Sequence, residues 1–196
     1  MNQHKYTAII LAGGKSSRMG ETKALLKIGN KFIIETIVDS LKPLFSEIII
    51  SSNNKELYEF LNLKIVKDDI NDQGPIMGIY SSLKVSNNNI NFVVTSDIPL
   101  IKIECFVKML EYTLEYDVVI PENNGQLEPM FAIYTKRSLP YIEKILQTDS
   151  RRIISILDIC KYKIVPMDMQ GWYKNLNTKH DYENIVKDRP YTDPGK

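Results

Sequence analysis

Residues 11–23 read L-A-G-G-K-S-S-R-M-G-E-T-K and follow an apolar run, Tyr6-Thr7-Ala8-Ile9-Ile10. That run has the length and residue types of a buried strand. Gly13 and Gly14, two residues beyond it, allow backbone angles that other residues avoid and let a phosphate approach with no Cβ in the way. Ser16 and Ser17 add hydroxyl donors, and Lys15, Arg18 and Lys23 bring positive charge to the same loop. A strand ending in a glycine-rich, cationic loop is suited to holding a polyphosphate.

Spacing excludes two better-known phosphate motifs. Gly14-Lys15-Ser16 looks like the end of a Walker A loop, but Ile9 stands where that motif needs its first glycine. The dinucleotide fingerprint G-x-G-x-x-G fails because Lys15 takes the second glycine's place. An ordinary strand-to-helix turn rich in Gly and Ser is the plain alternative. Arg18, Gly20 and Lys23 at their offsets after a first strand favour the phosphate loop.

Downstream, apolar strands alternate with helical stripes. Ala24 to Ile28 reads as a short extended segment. Ile33, Ile34, Ile37, Val38 and Leu41 recur at helical spacing, and Pro43 follows them. Glu47 to Ser51 predicts a strand, Lys55 to Leu61 a helix, Leu63 to Val66 a strand, and Ile79 to Val85 a helix. Ile90 to Thr95 predicts a strand, and Ile103, Phe106, Val107, Leu110 and Leu114 an apolar helical face. Further strands are expected at Tyr116 to Pro121, Leu127 to Tyr134 and Tyr162 to Pro166. The turn 122–126 and the strand after it are expected as an antiparallel edge over the crevice. Helices are expected over Lys136 to Leu146, after a capping Ser150, and over Lys179 to Val186 behind Thr178. This alternation predicts a three-layer α/β sandwich with a mostly parallel, Rossmann-like central sheet. Residues 1–187 are expected to form one domain and 188–196 a loose tail.

Asp97 is the second anchor. A carboxylate at the carboxyl end of a buried strand, followed by Ile98 and Pro99, faces the same crevice as the glycine loop. Mg²⁺ takes one or two carboxylates plus substrate phosphates, so one Asp suffices as its protein ligand. The competing role is a cap for a helix starting near Leu100. Ser51-Ser52-Asn53-Asn54 is a polar turn at another strand's carboxyl end, where open α/β sheets place ligands. Gly74-Pro75 fixes a turn and leaves backbone N–H groups free. His4 and His180 sit in polar settings and read as exposed.

Bulk properties narrow the function classes. In 196 residues, 25 basic side chains balance 24 acidic ones, so no global field would gather nucleic acid. No run reaches transmembrane length, and the polar first residues do not read as a signal peptide. Cys105 and Cys160 lie too far apart for a zinc motif. A cytoplasmic protein with no nucleic-acid or membrane partner is expected.

The string L-A-G-G-x-S-x-R-M-G-x-x-K resembles the signature of the molybdenum cofactor guanylyltransferases, nucleotidyltransferases with a Rossmann-like fold. Sugar nucleotidyltransferases and cytidylyltransferases share a related L-A-A-G string, and Gly13 at the third position leans toward the guanylyltransferase branch. The likeness runs from Leu11 to Asp181: G-P-x-x-G at Gly74 to Gly78, x-x-D-x-P-x around Asp97, E-P-x-F-A-x-Y at Glu128 to Tyr134, and N-x-N-T-x-x-D at Asn175 to Asp181.

The resemblance implies transfer of a guanylyl group from GTP to molybdenum-loaded molybdopterin, with release of pyrophosphate and with Mg²⁺ as the metal. Under it, Leu11, Ala12 and Gly13 meet the nucleotide through their backbone, with Gly14 beside them. Lys23 is the phosphate lysine, Asp68 the acidic nucleotide contact, and Ser51 stands where the family often has Asn. Lys23, Arg18 and Asp97 form the catalytic set, with Asp97 as metal ligand. Asn175 and Asn177 belong to the acceptor side. Independently of the resemblance, Arg151 and Arg152 in the first turn after Ser150 oppose the helix dipole, a cost that an anionic ligand would offset, and are assigned to the acceptor's phosphate, with a solvated basic patch as the equal alternative. Molybdoenzymes or their chaperones are further partners of such an enzyme. The competing functions are a sister transferase using CTP or UTP with molybdopterin or a small phosphate acceptor, and a non-catalytic nucleotide-binding protein.

Overall fold

A computed structural model describes residues 5–13, 22–148, 150–168, 171–173 and 175–188. Gly14 and Arg18 lie outside the described residues, as do Lys15, Ser16, Ser17, Gly20, His4 and the tail from 189 onward.

The chain runs β1 (Tyr6–Leu11), β2 (Lys27–Ile28), β3 (Lys31–Phe32), α1 (Ile33–Leu41), β4 (Glu47–Ser51), β5 (Lys64–Val66), α2 (Pro75–Val85), β6 (Ile90–Thr95) and α3 (Ile103–Leu110). It continues through β7 (Val118–Asn123), β8 (Gln126–Leu127), β9 (Ala132–Thr135), α4 (Leu139–Leu146), β10 (Tyr162–Pro166) and α5 (Lys179–Asp188). Eight strands form one sheet in the order β10-β7-β9-β6-β1-β4-β5, with β8 added alongside β7. The pairs β1–β4, β1–β6, β4–β5 and β7–β10 are parallel. Only β9, between β6 and β7, and β8 run against the rest.

Strand alternation produces the three layers. In β1, Ala8 and Ile10 join a core with α1 residues Ile33, Ile34 and Ile37 and α3 residues Cys105, Phe106 and Met109. Their neighbours Ile9 and Leu11 join the opposite core with Ile76, Ile79 and Leu83 of α2 and Ile142 and Ile145 of α4. Successive side chains of a strand face opposite ways, so a strand apolar at every position is one covered on both faces.

Several local expectations are corrected. Lys55 to Leu61 forms turns and a 3₁₀ segment, Glu59–Leu61, rather than an α-helix. Seven residues barely nucleate a helix, and Tyr58, fully buried, is committed to a tertiary contact instead. The stretch Leu127 to Tyr134 is broken by a turn over Glu128–Phe131, closed by Phe131 N–H donating to the Glu128 carbonyl over 3.0 Å. Pro129 has no N–H to offer a ladder. The strand after that turn is internal to the sheet, not an edge. Helix α2 begins at Pro75, with Gly74 at φ 74° supplying the left-handed backbone before it. Ser150 precedes a 3₁₀ segment, Ile153–Asp158, rather than capping an α-helix. Ala24 falls in a 3₁₀ turn, Lys23–Leu25.

Candidate active site

The sheet order reverses at β1: β4 and β5 lie on one side of it and β6 on the other. Ligands of open α/β sheets bind outside the carboxyl ends of strands at such a switch point. A crevice of about 830 Å³ opens there, within the range of about 300–1,000 Å³ usual for small-molecule sites. Leu11, Ala12, Gly13, Lys23, Ser51, Asp68 and Asp97 all line it. Seven of the residues assigned to the nucleotide from sequence therefore share one cavity, although they come from separate stretches of chain.

The floor is tightly fixed. Ala12 N–H donates to the Ser51 carbonyl over 2.9 Å, and Ser96 N–H to the Leu11 carbonyl over 3.1 Å. The Tyr58 hydroxyl donates to the Ala12 carbonyl over 3.1 Å. Both polar groups of the Ala12 peptide are thus spoken for, and exposed Gly13 follows. Burial pushes the Tyr58 phenol up to about 12, so it stays a donor at any working pH. Lys23, half-buried, is set at the rim by its neighbour Ala24, 1% exposed in the core.

On the β4–β5 side, Asn53 and Asp68 clasp each other. Asn53 Nδ2 donates to Asp68 Oδ2 over 3.0 Å, and Asp68 N–H donates to Asn53 Oδ1 over 2.8 Å. Partial burial raises the Asp68 pKa, the Asn53 hydrogen bond opposes that, and the adjacent Asp69 charge adds to it. Ser51 is almost fully buried. A Cβ added at Gly78 would lie 2.5 Å from Ser51 Oγ and 3.4 Å from Asp68 Oδ1, so this glycine lets α2 press against the crevice wall.

On the β6 side, the Thr95 hydroxyl donates to Asp97 Oδ1 over 2.5 Å and orients the carboxylate. The helix beyond Asp97 begins at Ile103 behind Lys102, so Asp97 does not cap it. Among the described residues no group of three His, Cys, Asp or Glu side chains converges as a metal site.

Sequence reasoning did not single out Asn53, Tyr58, Thr95 or Gly78 as individual site residues. Asn53 was visible only as part of the polar turn, and Gly78 only as the last glycine of G-P-x-x-G.

The remaining assigned residues that the structure describes, Arg151, Arg152, Asn175 and Asn177, are not part of the crevice lining. Arg151 is exposed and turns back onto the carbonyls of Thr148 and Ser150. Its own carbonyl lies 3.8 Å from the Cβ position of Gly74 at the rim. Arg152 is also exposed. Asn175 Nδ2 donates to the Tyr173 hydroxyl over 3.4 Å. Asn177 is exposed, and its N–H and that of Thr178 donate to the Asp181 carboxylate at the start of α5, with Asp181 N–H returning to Thr178 Oγ1. His180 is exposed.

Comparison with known proteins is decided by residues 8–162, which match the model of the MobA-like NTP transferase domain. The chain belongs to this family. Across 188 residues it is 39% identical to a protein of Carboxydothermus hydrogenoformans named "Probable molybdenum cofactor guanylyltransferase", covering 92% of this chain and 95% of that protein. A crystal structure of a protein from Aquifex aeolicus superposes with a TM-score of 0.75 at 32% identity, covering 88% of this chain and 94% of that one. The molybdopterin-guanine dinucleotide biosynthesis protein A of Archaeoglobus fulgidus superposes with a TM-score of 0.78 at 20% identity, covering 92% of this chain and 97% of that one, and shares the fold. As a member of this family the protein is a nucleotidyltransferase. No helix among its described residues is long and apolar enough to cross a membrane.

Proposed function

We propose that the protein transfers GMP from GTP to molybdenum-loaded molybdopterin, releasing pyrophosphate and making the guanine dinucleotide form of the molybdenum cofactor. The observation that carries this reading is the meeting of Lys23, Asp68 and Asp97 in one crevice at the carboxyl ends of β1, β4 and β6. The names of the relatives supply the nucleotide and the acceptor.

In the proposed reaction an oxygen of the acceptor's terminal phosphate attacks the α-phosphorus of GTP. The bond from that phosphorus to the β-phosphate's bridging oxygen breaks, and pyrophosphate leaves with the electron pair. A phosphate monoester has its second pKa near roughly 6, so the attacking group is largely dianionic at neutral pH and needs no strong base. Alignment and charge neutralisation therefore make up the catalysis. Lys23 neutralises charge on the transferring phosphates. The backbone at Leu11, Ala12 and Gly13 seats the nucleotide, and the clasped pair Asp68 and Asn53 meets the base. Asp97 would hold Mg²⁺: a hydroxyl-oriented carboxylate at a strand end fits an ion that completes its shell with water and phosphate oxygens. When bound, that ion supplies positive charge to the phosphate oxygens.

Mass spectrometry of a mixture of the protein, GTP, Mg²⁺ and molybdenum-loaded molybdopterin tests the reading. The guanine dinucleotide product is expected with the wild type and not with Asp97→Asn. Its absence from the wild-type reaction would refute the proposed substrates.

A further inference from the structure

Lys23 and Asp97 line the crevice from distant stretches of the chain. One short segment, residues 176–182, is tied beside both. At its start, Leu176 N–H donates to the Asp97 carbonyl over 2.8 Å. At its end, the Tyr182 hydroxyl donates to the Lys27 carbonyl over 2.5 Å, across 155 residues of sequence. Lys27 opens the β2–β3 hairpin, which Leu26 joins to the 3₁₀ turn Lys23–Leu25. Leu26 N–H donates to the Lys23 carbonyl over 3.1 Å, so the turn and the hairpin form one unit.

The hairpin leaves the Lys27 carbonyl open to this contact. Ladder bonds of an antiparallel pair alternate along the strands. Ile33 N–H donates to the Leu26 carbonyl over 2.8 Å. Phe32 N–H, opposite Lys27, turns instead to Glu35 Oε2 over 2.7 Å. The segment between the two tethers is stiff. Asp181 Oδ2 accepts the N–H groups of Asn177 at 3.0 Å and Thr178 at 2.7 Å. Asp181 N–H donates back to Thr178 Oγ1 over 3.1 Å, a reciprocal cap that fixes the first turn of α5. Leu176 and Ile185 are buried in the same core as Ala24 and Ile28. Ile185 stands three residues after Tyr182, on the same face of the helix.

We propose that Tyr182 is a positioning residue: through the Lys27 carbonyl it fixes where Lys23 stands relative to Asp97. The proposal rests on the phosphate role of Lys23 given under Proposed function. Tyr182 is not part of the crevice lining, so it acts through the hairpin backbone alone. Its bond to Lys27 is exposed, and water can replace the phenol on that carbonyl. Folding stability therefore depends little on the hydroxyl, while the placement of Lys23 does.

Calorimetric titration with GTP, in the absence of any acceptor, tests this on wild type, Tyr182→Phe, Lys23→Ala and the double variant. Tyr182→Phe is expected to weaken GTP binding about 5-fold, the scale of one net hydrogen bond, with an unchanged melting temperature. In the Lys23→Ala background the same change is expected to cost nothing, because residues that act through one another are not additive. A merely structural role predicts an equal loss in both backgrounds. That comparison decides even if Tyr182→Phe melts lower than the wild type. Wild-type affinity in Tyr182→Phe, an equal loss with and without Lys23, or no GTP binding by the wild type overturns the proposal. Turnover of GTP with molybdopterin, measured on the same wild-type sample, separates the two readings. Coupling of Tyr182 to Lys23 without turnover sinks the proposed reaction alone, and turnover without that coupling sinks the role of Tyr182 alone.

Discussion

Leu176 donates its backbone N–H to the backbone carbonyl of Asp97 over 2.8 Å. One hydrogen bond thus couples the residue at the end of β6 to the segment that carries Tyr173 and Asn175.

Asp97→Asn and Lys23→Ala are expected to lower kcat by at least about 100-fold each, the cost of removing a preorganised electrostatic group. Neither residue is part of the core, so circular dichroism and melting temperature are expected to match the wild type. Thr95→Val removes the hydroxyl that orients Asp97 and is expected to cost about 10-fold in kcat, as for a misplaced catalytic group. Wild-type turnover in either of the first two variants would contradict their assigned roles.

Gly78→Ala sets a helix-propensity gain of about 1 kcal/mol against a clash of about 1–3 kcal/mol with Ser51 Oγ. Stability is expected to change little or fall slightly, while the KM for GTP rises because Ser51, which lines the crevice, must shift away from the new Cβ. Ser51→Ala removes the colliding oxygen. The double variant is expected to recover the melting temperature, and a double variant less stable than Gly78→Ala would disprove the contact.

Tyr58→Phe deletes the donor to the Ala12 carbonyl and is expected to cost about 1–3 kcal/mol, the penalty for orphaning a buried acceptor. Denaturant melts read that loss. Because Ala12 and Gly13 line the crevice, the KM for GTP is expected to rise as well. A stable variant with unchanged KM would show that the floor does not depend on Tyr58.

In the proposed function Asp68 would meet the base as a carboxylate, and its pKa is raised mainly by burial. Its affinity contribution is therefore lost as pH falls through that raised value, earlier than an ordinary aspartate at about 3.9 would lose it. The KM for GTP is expected to climb on the acid side, and Asp68→Asn to show a flatter profile. The stability sign is opposite: the folded state holds this proton more tightly, so Asp68 costs stability above its folded pKa and the cost fades as pH falls through it. Identical acid limbs in wild type and variant would remove Asp68 from the binding step.

Much of this was legible in the sequence because the central strands are covered on both faces. Ala8 to Leu11, Ile48 to Ile50 and Phe92 to Val94 are continuous apolar runs, and each runs out at the crevice. Local pattern failed where tertiary contacts override it. Tyr58 gives up a helix to reach Ala12 across 46 residues. Glu128 and Pro129 break what reads as one strand, and β9 inserts antiparallel into the middle of the sheet. The partners of Asp68 and Asp97, Asn53 and Thr95, sit in stretches whose own periodicity says nothing about what they touch.

The most direct measurement of the central claim is pyrophosphate release from GTP, CTP, UTP and ATP in parallel, with Mg²⁺, with and without molybdenum-loaded molybdopterin. The account predicts release from GTP alone, and only with the pterin present. Release that favours another base, or that proceeds without the pterin, would contradict it, as would nucleotide binding with no release in any pairing.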